Sequence, residues 1–92
     1  MNTFLVICQM SDESRRLQMV SLIKENRQWA RIWDNAWCIR VDDNTTTAEI
    51  RDNLNVRFPL NADERLMVIN ITKSAWASYY LPREVADWLK EK

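Results

Sequence analysis

Hydrophobic and polar positions follow two different periods along this chain, and each period predicts a different element. Thr3 to Cys8 (TFLVIC) is a short run of apolar and β-forming residues, which is typical of a buried strand. After the capping residues Ser11 and Asp12, apolar positions at steps of three predict an amphipathic helix to about Asn26. The chain therefore begins with a strand followed by a helix.

The second half of the chain repeats this alternation. Thr46 opens a capping box (TTAE), after which apolar residues recur at steps of four until a proline ends the predicted helix. The dense apolar run from Arg65 to Thr72 (RLMVINIT) predicts another buried strand. A last helix is predicted from Pro82 or Arg83 to Lys90, since proline suits a first helical turn.

Residues 29–37 (WARIWDNAW) hold three of the five tryptophans, spaced four apart. A helix over 28–40 would place all three rings on one side. Against that helix stand the turn-favouring pair Asp34–Asn35 and the β-forming run WCIRV. We favour two strands, about 29–33 and 37–42, with a turn between them.

Alternation along the first of these strands predicts that Trp29, Arg31 and Trp33 share one face. The predicted order is then β-α-β-β-α-β with an extra C-terminal helix. This order indicates an α+β protein with one domain, 1–92, built as a ferredoxin-like βαββαβ sandwich with a four-stranded antiparallel sheet. Two helices would cover one face of the sheet and leave the other partly open, which favours a homodimer.

Composition excludes several classes of function. Thirteen basic and thirteen acidic residues cancel, so no net charge attracts the chain to nucleic acid or to membranes. The chain has no histidine and no glycine, which excludes Ser-His and Cys-His catalysis and glycine-rich phosphate loops. We expect no metal site, no cofactor and no membrane partner. Cys8 and Cys38 are expected to be buried reduced thiols of a cytoplasmic protein.

Several segments resemble a known group of proteins. MNTFLVICQM, WDNAWCI, AEIRDNL, ERLMVINIT and LPREVADWLK are similar to segments of small proteins related to CRISPR-associated protein two. Short bacterial proteins of the SinR-like group are the nearest relatives we name, and the virulence-associated protein D toxins are more distant. The resemblance implies a ferredoxin-like fold and a homodimer formed through the sheets.

The resemblance also locates an active-site position. Members of this group that act as metal-dependent nucleases carry an aspartate at the end of the first strand, where two copies in the dimer hold a divalent cation. Cys8 and Gln9 stand there in this chain, and the neutral amide of Gln9 is a poor ligand for Mg²⁺. The other candidates near this position are Asp12, Asp34 and Asn35. Asp12 is interpreted as a helix cap, and the remaining carboxylates, Glu64 among them, as caps, turns or helix surface.

Basic and aromatic side chains in the first half of the chain predict a surface for nucleic acid or for a protein partner. This set comprises Arg15, Arg16, Arg27, Arg31, Trp33, Trp37 and Arg40. The alternative is that the arginines lie on solvated helix faces and the tryptophans cover the sheet. A second aromatic set is expected to serve packing or dimer contact: Trp29, Trp76, Tyr79, Tyr80 and Trp88.

Three hypotheses about function follow. The leading one is a non-catalytic homodimeric binding or assembly module that associates with nucleic acid or with a protein complex. The second is a metal-dependent endoribonuclease using Mg²⁺, in which Asp12 or Asp34 replaces the lost carboxylate. The third is an interaction or inhibitor protein of a mobile element that imitates a CRISPR-type subunit.

Overall fold

The computed structural model describes residues 1–91 of the chain and contains four strands and three helices. In chain order they are β1 (Asn2–Gln9), α1 (Glu13–Ile23), β2 (Trp29–Trp33), β3 (Ala36–Val41), α2 (Thr47–Arg57), β4 (Arg65–Asn70) and α3 (Arg83–Lys90). The predicted α+β class is confirmed. Within the described residues, no helix is long and apolar enough to cross a membrane.

The four strands form one antiparallel sheet in the order β2-β3-β1-β4. This sheet with its three helices is compatible with a ferredoxin-like arrangement. β1 is central and pairs with β3 on one side and with β4 on the other. Phe4 of β1 lies opposite Ile39 of β3 and Asn70 of β4, so the register of both neighbours is defined relative to β1.

The main core lies between one face of the sheet and the helices α1 and α2. Alternate residues of β1, Phe4, Val6 and Cys8, are almost fully buried there. The other buried members of the core are Met19, Val20 and Ile23 of α1, Trp37 and Ile39 of β3, and Ile50 and Leu54 of α2. The two amphipathic helices predicted from the sequence therefore bury their apolar sides against the same face of the sheet.

Both predicted helix caps are present. Asp12 has extended backbone geometry, and its side chain accepts a hydrogen bond from the Arg15 backbone N–H at 2.8 Å. Thr46 accepts one from the Glu49 N–H at 3.1 Å. These bonds satisfy N–H groups that the first turn of a helix cannot pair internally. α1 ends at Ile23, before the Asn26 expected from the periodicity.

The tryptophan segment is a β-hairpin, as the favoured interpretation predicted. β2 and β3 are joined by the turn Asp34–Asn35. The prediction that Trp29, Arg31 and Trp33 share one face is wrong. The pairing register shifts between Arg31 and Trp33, so Trp33 lies opposite Ala36 and on the other face of the sheet from Trp29.

The second face of the sheet carries two rows of apolar side chains that cross all four strands. The register gives one row as Trp33, Ala36, Ile7 and Met67, and the next row as Ala30, Cys38, Leu5 and Ile69. We call these eight residues the apolar band. α3 packs on the β2 side of this face, and within residues 1–91 no helix lies over the β1–β4 side.

Leu54 and Val56 of α2 offer a matched test of this layering. Leu54 is buried in the core, whereas Val56 is exposed on the same helix. We expect Leu54→Ala to reduce the free energy of unfolding by about 3 kcal/mol, since it removes buried methyl groups and leaves a cavity. Val56→Ala should change it by less than about 0.5 kcal/mol. Urea unfolding followed by tryptophan fluorescence measures both, and equal losses would contradict the burial of α2 on this side.

Candidate functional site

The structure brings Gln9, at the end of β1, close to the hairpin turn. The Cys8 backbone N–H donates to the Asn35 carbonyl oxygen at 2.9 Å. Gln9 is exposed and lies opposite Arg65 of β4. An open depression of about 590 Å³ lies at this end of the sheet, with Gln9, Asn35, Arg65 and Met67 among its lining residues. The polar residues that line it are thus Gln9, Asn35, Arg65 and Glu64.

The carboxylate of Glu64 lies at this depression. The sequence pattern indicates only a cap, turn or surface position for it. The Glu64 side chain is fully buried and accepts five hydrogen bonds. Arg15 donates through Nε to Oε2 at 2.7 Å and through Nη2 to Oε1 at 2.8 Å. The Ser11 N–H and hydroxyl each donate to Oε2 at 3.0 Å, and the Asn61 N–H donates to Oε1 at 2.7 Å. We call Glu64, Arg15, Ser11 and Asn61 the Glu64 network.

The network fixes the charge state of Glu64. The hydrogen bonds from Arg15 lower the pKa of the Glu64 carboxyl far below its ordinary value, and those from Asn61 and Ser11 lower it further. Burial acts in the opposite direction but is the smaller effect. Because both oxygens already accept several donors, the carboxylate is a structural anion. No local sequence pattern indicates the ion pair, since Arg15 lies 49 positions away from Glu64.

Asp12 and Asp34, the two carboxylates proposed as relocated metal ligands, both have structural partners. Asp12 caps α1, as described above. The Asp34 carboxylate lies 3.6 Å from the Arg31 guanidinium, and its backbone carbonyl accepts from Arg16 and from the Trp37 indole. Within residues 1–91, no group of three or more His, Cys, Asp or Glu side chains is placed to hold a metal ion.

Most of the arginines predicted to form a basic surface are paired with acceptors of the same chain. Arg15 belongs to the Glu64 network and lies over the Phe58 ring, and Arg16 pairs with Glu13. Arg31 is exposed beside Asp34. Arg27 lies in the exposed segment between α1 and β2. The structure therefore does not gather these four side chains into one uncompensated cationic patch.

The prediction that Trp37 and Arg40 belong to this surface is wrong, because both side chains are buried. Trp37 is buried in the main core, where Lys24 lies 5.4 Å from its ring centroid and the Trp29 ring lies 5.5 Å away. Arg40 is buried on the second face of the sheet, beneath α3. Its guanidinium stacks 3.8 Å from the Trp88 ring centroid and donates to the carbonyl oxygens of Trp88 and Glu91. Neither side chain is available to a partner in this conformation.

The second aromatic set divides into two groups. Trp29 and Trp88 are partly covered and contact Lys24 and Arg40 respectively. Trp76, Tyr79 and Tyr80 lie in the segment between β4 and α3 and are exposed, with the two tyrosine ring centroids 6.1 Å apart. The aromatic contact surface of this region is therefore open to solvent in the isolated chain.

The apolar band is the most unusual surface of the molecule. Met67 is 58% exposed, Ile69 38% and Trp33 58%, although all three lie in strands of the sheet. The chain exposes 6460 Å² in total. A compact monomer of 11.0 kDa is expected to expose about 5600 Å². The difference is similar to the roughly 800 Å² that each partner buries in a standard protein interface.

The two cysteines lie on opposite faces of the sheet. Cys8 points into the main core, and Cys38 belongs to the apolar band. Both are free and buried, as predicted. Burial raises the pKa of the Cys38 thiol to about 11 and also raises that of Cys8. Both thiols are therefore protonated and unreactive at neutral pH.

Neither a comparison with protein-family models nor a search of curated proteins finds a match to this chain. The resemblance to CRISPR-associated protein two stays a prediction. The geometry of the site gives the firmer basis for function: a neutral Gln9 end, a carboxylate enclosed by donors, and an exposed apolar band beside them.

The Glu64 network predicts a pH dependence of stability. Because the folded pKa of Glu64 is lowered, its contribution is fully present above the unfolded value of about 4.3 and is lost as the pH falls towards the folded pKa. We expect Glu64→Gln to destabilise the fold at neutral pH and to flatten the loss of stability between about pH 5 and pH 3. Urea unfolding at several pH values measures this slope.

The control for this experiment is Asp63→Asn, which makes the same change of charge at an exposed neighbouring position. It should leave both the stability at neutral pH and the slope close to those of the wild type. Equal pH slopes for Glu64→Gln and the wild type would contradict a structural Glu64 carboxylate.

Proposed function

We propose that the protein is a non-catalytic homodimeric binding or assembly module with a ferredoxin-like fold, similar to CRISPR-associated protein two and the SinR-like proteins. The observation that carries the proposal is the exposed apolar band on the second face of the sheet. Met67 and Ile69 lie side by side along β4, next to Ile7 and Leu5 of β1. Water contact with so many neighbouring apolar groups is unfavourable, and a partner surface removes it.

A second copy of this chain is the partner that fits the band best. The band is formed by regular strands, and self-complementary packing of such a surface about a two-fold axis closes the assembly. The strand positions of this face carry no carboxylate, and its polar residues lie at its two ends, Gln9 and Arg65 at one and Thr3 and Arg40 at the other. Two bands can therefore meet without burying an acidic group. The strand order β2-β3-β1-β4, with α1 and α2 on the opposite face, supports the ferredoxin-like assignment.

The absence of catalysis is proposed from the occupation of the carboxylates near Gln9. A cation held between two protomers needs oxygens with free lone pairs aimed at a common point. Gln9 supplies a neutral amide, Asp12 caps a helix and Glu64 is surrounded by five donors. Asp34, beside Arg31, is the remaining carboxylate of the hairpin turn. Glu64 cannot act as a ligand without losing contacts that stabilise the fold, and a cation at Asp12 or Asp34 would compete with the Arg15 N–H or with Arg31.

A dimer of this kind would present its exposed aromatic segment and the Gln9 end to a further partner. Trp76, Tyr79 and Tyr80 offer faces for stacking or for apolar contact. The further partner is a nucleic acid or a protein complex, and buried thiols suit the reducing cytoplasm in which we place the protein.

Substitution of an exposed residue of the apolar band on the edge strand β4 tests the homodimer. We expect Met67→Glu to weaken self-association by about a hundredfold, since each protomer would bury an unpaired carboxylate. Val56→Glu, which adds the same charge on the exposed side of α2, is the matched control and should leave self-association unchanged. Sedimentation equilibrium over a range of concentrations measures both. A wild-type chain that stays monomeric at all concentrations would refute the proposal.

Incubation of the purified protein with RNA and with DNA, in the presence of Mg²⁺ or Mn²⁺, tests the absence of catalysis. We expect no cleavage and no increase in melting temperature on addition of the metal. Cleavage that is lost in Asp12→Asn or Asp34→Asn would instead establish the relocated nuclease. Circular dichroism of the same variants shows whether they remain folded.

A further inference from the structure

α3 covers one half of the second face of the sheet, and the apolar band continues beneath it. Ala30 and Cys38 are small residues of the same row as the exposed Ile69, yet both are buried. α1 and α2 lie on the opposite face, and the helix on the side of Ala30 and Cys38 is α3, which packs against β2 and contacts Arg40 of β3. The band is therefore longer than its exposed part.

We propose that α3 is a displaceable cover that regulates the docking face. When α3 is seated, a partner protomer reaches the β1–β4 side of the band and Trp33 at its far edge, but not Ala30 or Cys38. When α3 lifts, Ala30 and Cys38 join the exposed residues and the interface extends across all four strands. This regulation of the homodimer rests on the proposed function, whereas the displacement of α3 does not depend on it.

The attachment of α3 is separate from the main core. No α3 residue belongs to the core cluster found among residues 1–91, and Val85 is its most buried apolar side chain. Arg40 holds the C-terminal end of the helix by stacking on Trp88 and by donating to the carbonyl oxygens of Trp88 and Glu91. An element held by a few contacts outside the core opens more readily than the whole domain unfolds.

The segment that links β4 to α3 is suited to such a movement. Residues 75–81 make no hydrogen bond to another described residue, and Lys73 and Tyr80 have φ angles of 58° and 62°. The left-handed region is unfavourable for residues other than glycine. Positive φ angles therefore lie towards both ends of a connection between β4 and α3 that has few hydrogen bonds to the sheet.

Arg40 sets the boundary of the face that α3 uncovers. It lies opposite Thr3, one row beyond Cys38 and Leu5, at the margin of the apolar band. Once α3 has lifted, its guanidinium can reach water at this margin and does not interrupt the apolar rows. The uncovered surface therefore remains suitable for another protomer.

The two cysteines make the movement measurable. Cys38 lies beneath α3, and Cys8 lies in the main core on the opposite face. In single-cysteine variants, Cys8→Ala and Cys38→Ala, we expect a maleimide or disulfide reagent to modify Cys38 at least about tenfold faster than Cys8 under native conditions. Equal rates with the same dependence on urea would overturn the proposal, because α3 would then leave the sheet only on global unfolding.

Two variants release α3 by different means. Val85→Asp places a charge at the buried side of the helix, and Arg40→Met removes the guanidinium while keeping an apolar chain of similar length. Each should accelerate modification of Cys38 by about tenfold and leave Cys8 unchanged. Asp87→Asn, at an exposed position of α3, is the control and should change neither rate. Acceleration of both thiols together would contradict a local opening.

Sedimentation equilibrium then tests the regulation. If α3 limits the docking face, both releasing variants should tighten self-association by about tenfold, because more apolar surface becomes available to the partner protomer. Unchanged or weaker self-association would overturn the regulatory role. A chain that is monomeric in every variant would refute the proposed homodimer, and the thiol rates would still decide whether α3 lifts.

Discussion

The buried carboxylate of Glu64 is the contact on which the arrangement of the sheet depends. Glu64 directly precedes β4, and its oxygens hold Ser11, which follows β1, and Arg15 in the first turns of α1. It thereby joins the end of β1 to the start of β4, where Gln9 lies opposite Arg65. A slip of one residue in a strand exchanges its two faces. The Glu64 network therefore stabilises the register that directs Leu66 and Val68 to the core and Met67 and Ile69 outwards.

This register gives the sheet two apolar faces. The three helices cover one face and only part of the other. α1 and α2 complete the main core, which contains Phe4 and Val6 of the central strand. α3 covers only the β2 side of the second face, held there through Arg40. The surface that remains explains both the exposed band and the proposed dimer, because the same strand pairing that buries one set of residues must expose the alternate set.

Local patterns in the sequence predicted the elements and the α+β class well. The caps at Asp12 and Thr46 and the hairpin turn at Asp34–Asn35 involve residues within a few positions of each other, so their signals are visible in the sequence. The face of Trp33 was mispredicted because the register shift after Arg31 depends on pairing with β3. The partners of Arg40, and Arg15 and Ser11 among those of Glu64, lie about 50 positions away, and no periodicity reveals them.

The chemistry of the Gln9 end of the sheet depends on which of its carboxylates already accept hydrogen bonds. A carboxylate can bind a cation only if its lone pairs are free, and Glu64, which lines the same depression as Gln9, accepts five hydrogen bonds from donors that hold the sheet together. A metal ion could bind Glu64 only by displacing some of the five hydrogen bonds that stabilise the fold. In the proposed homodimer the neutral side chain of Gln9 would add no charge to this end of the sheet, where Arg65 lies opposite it.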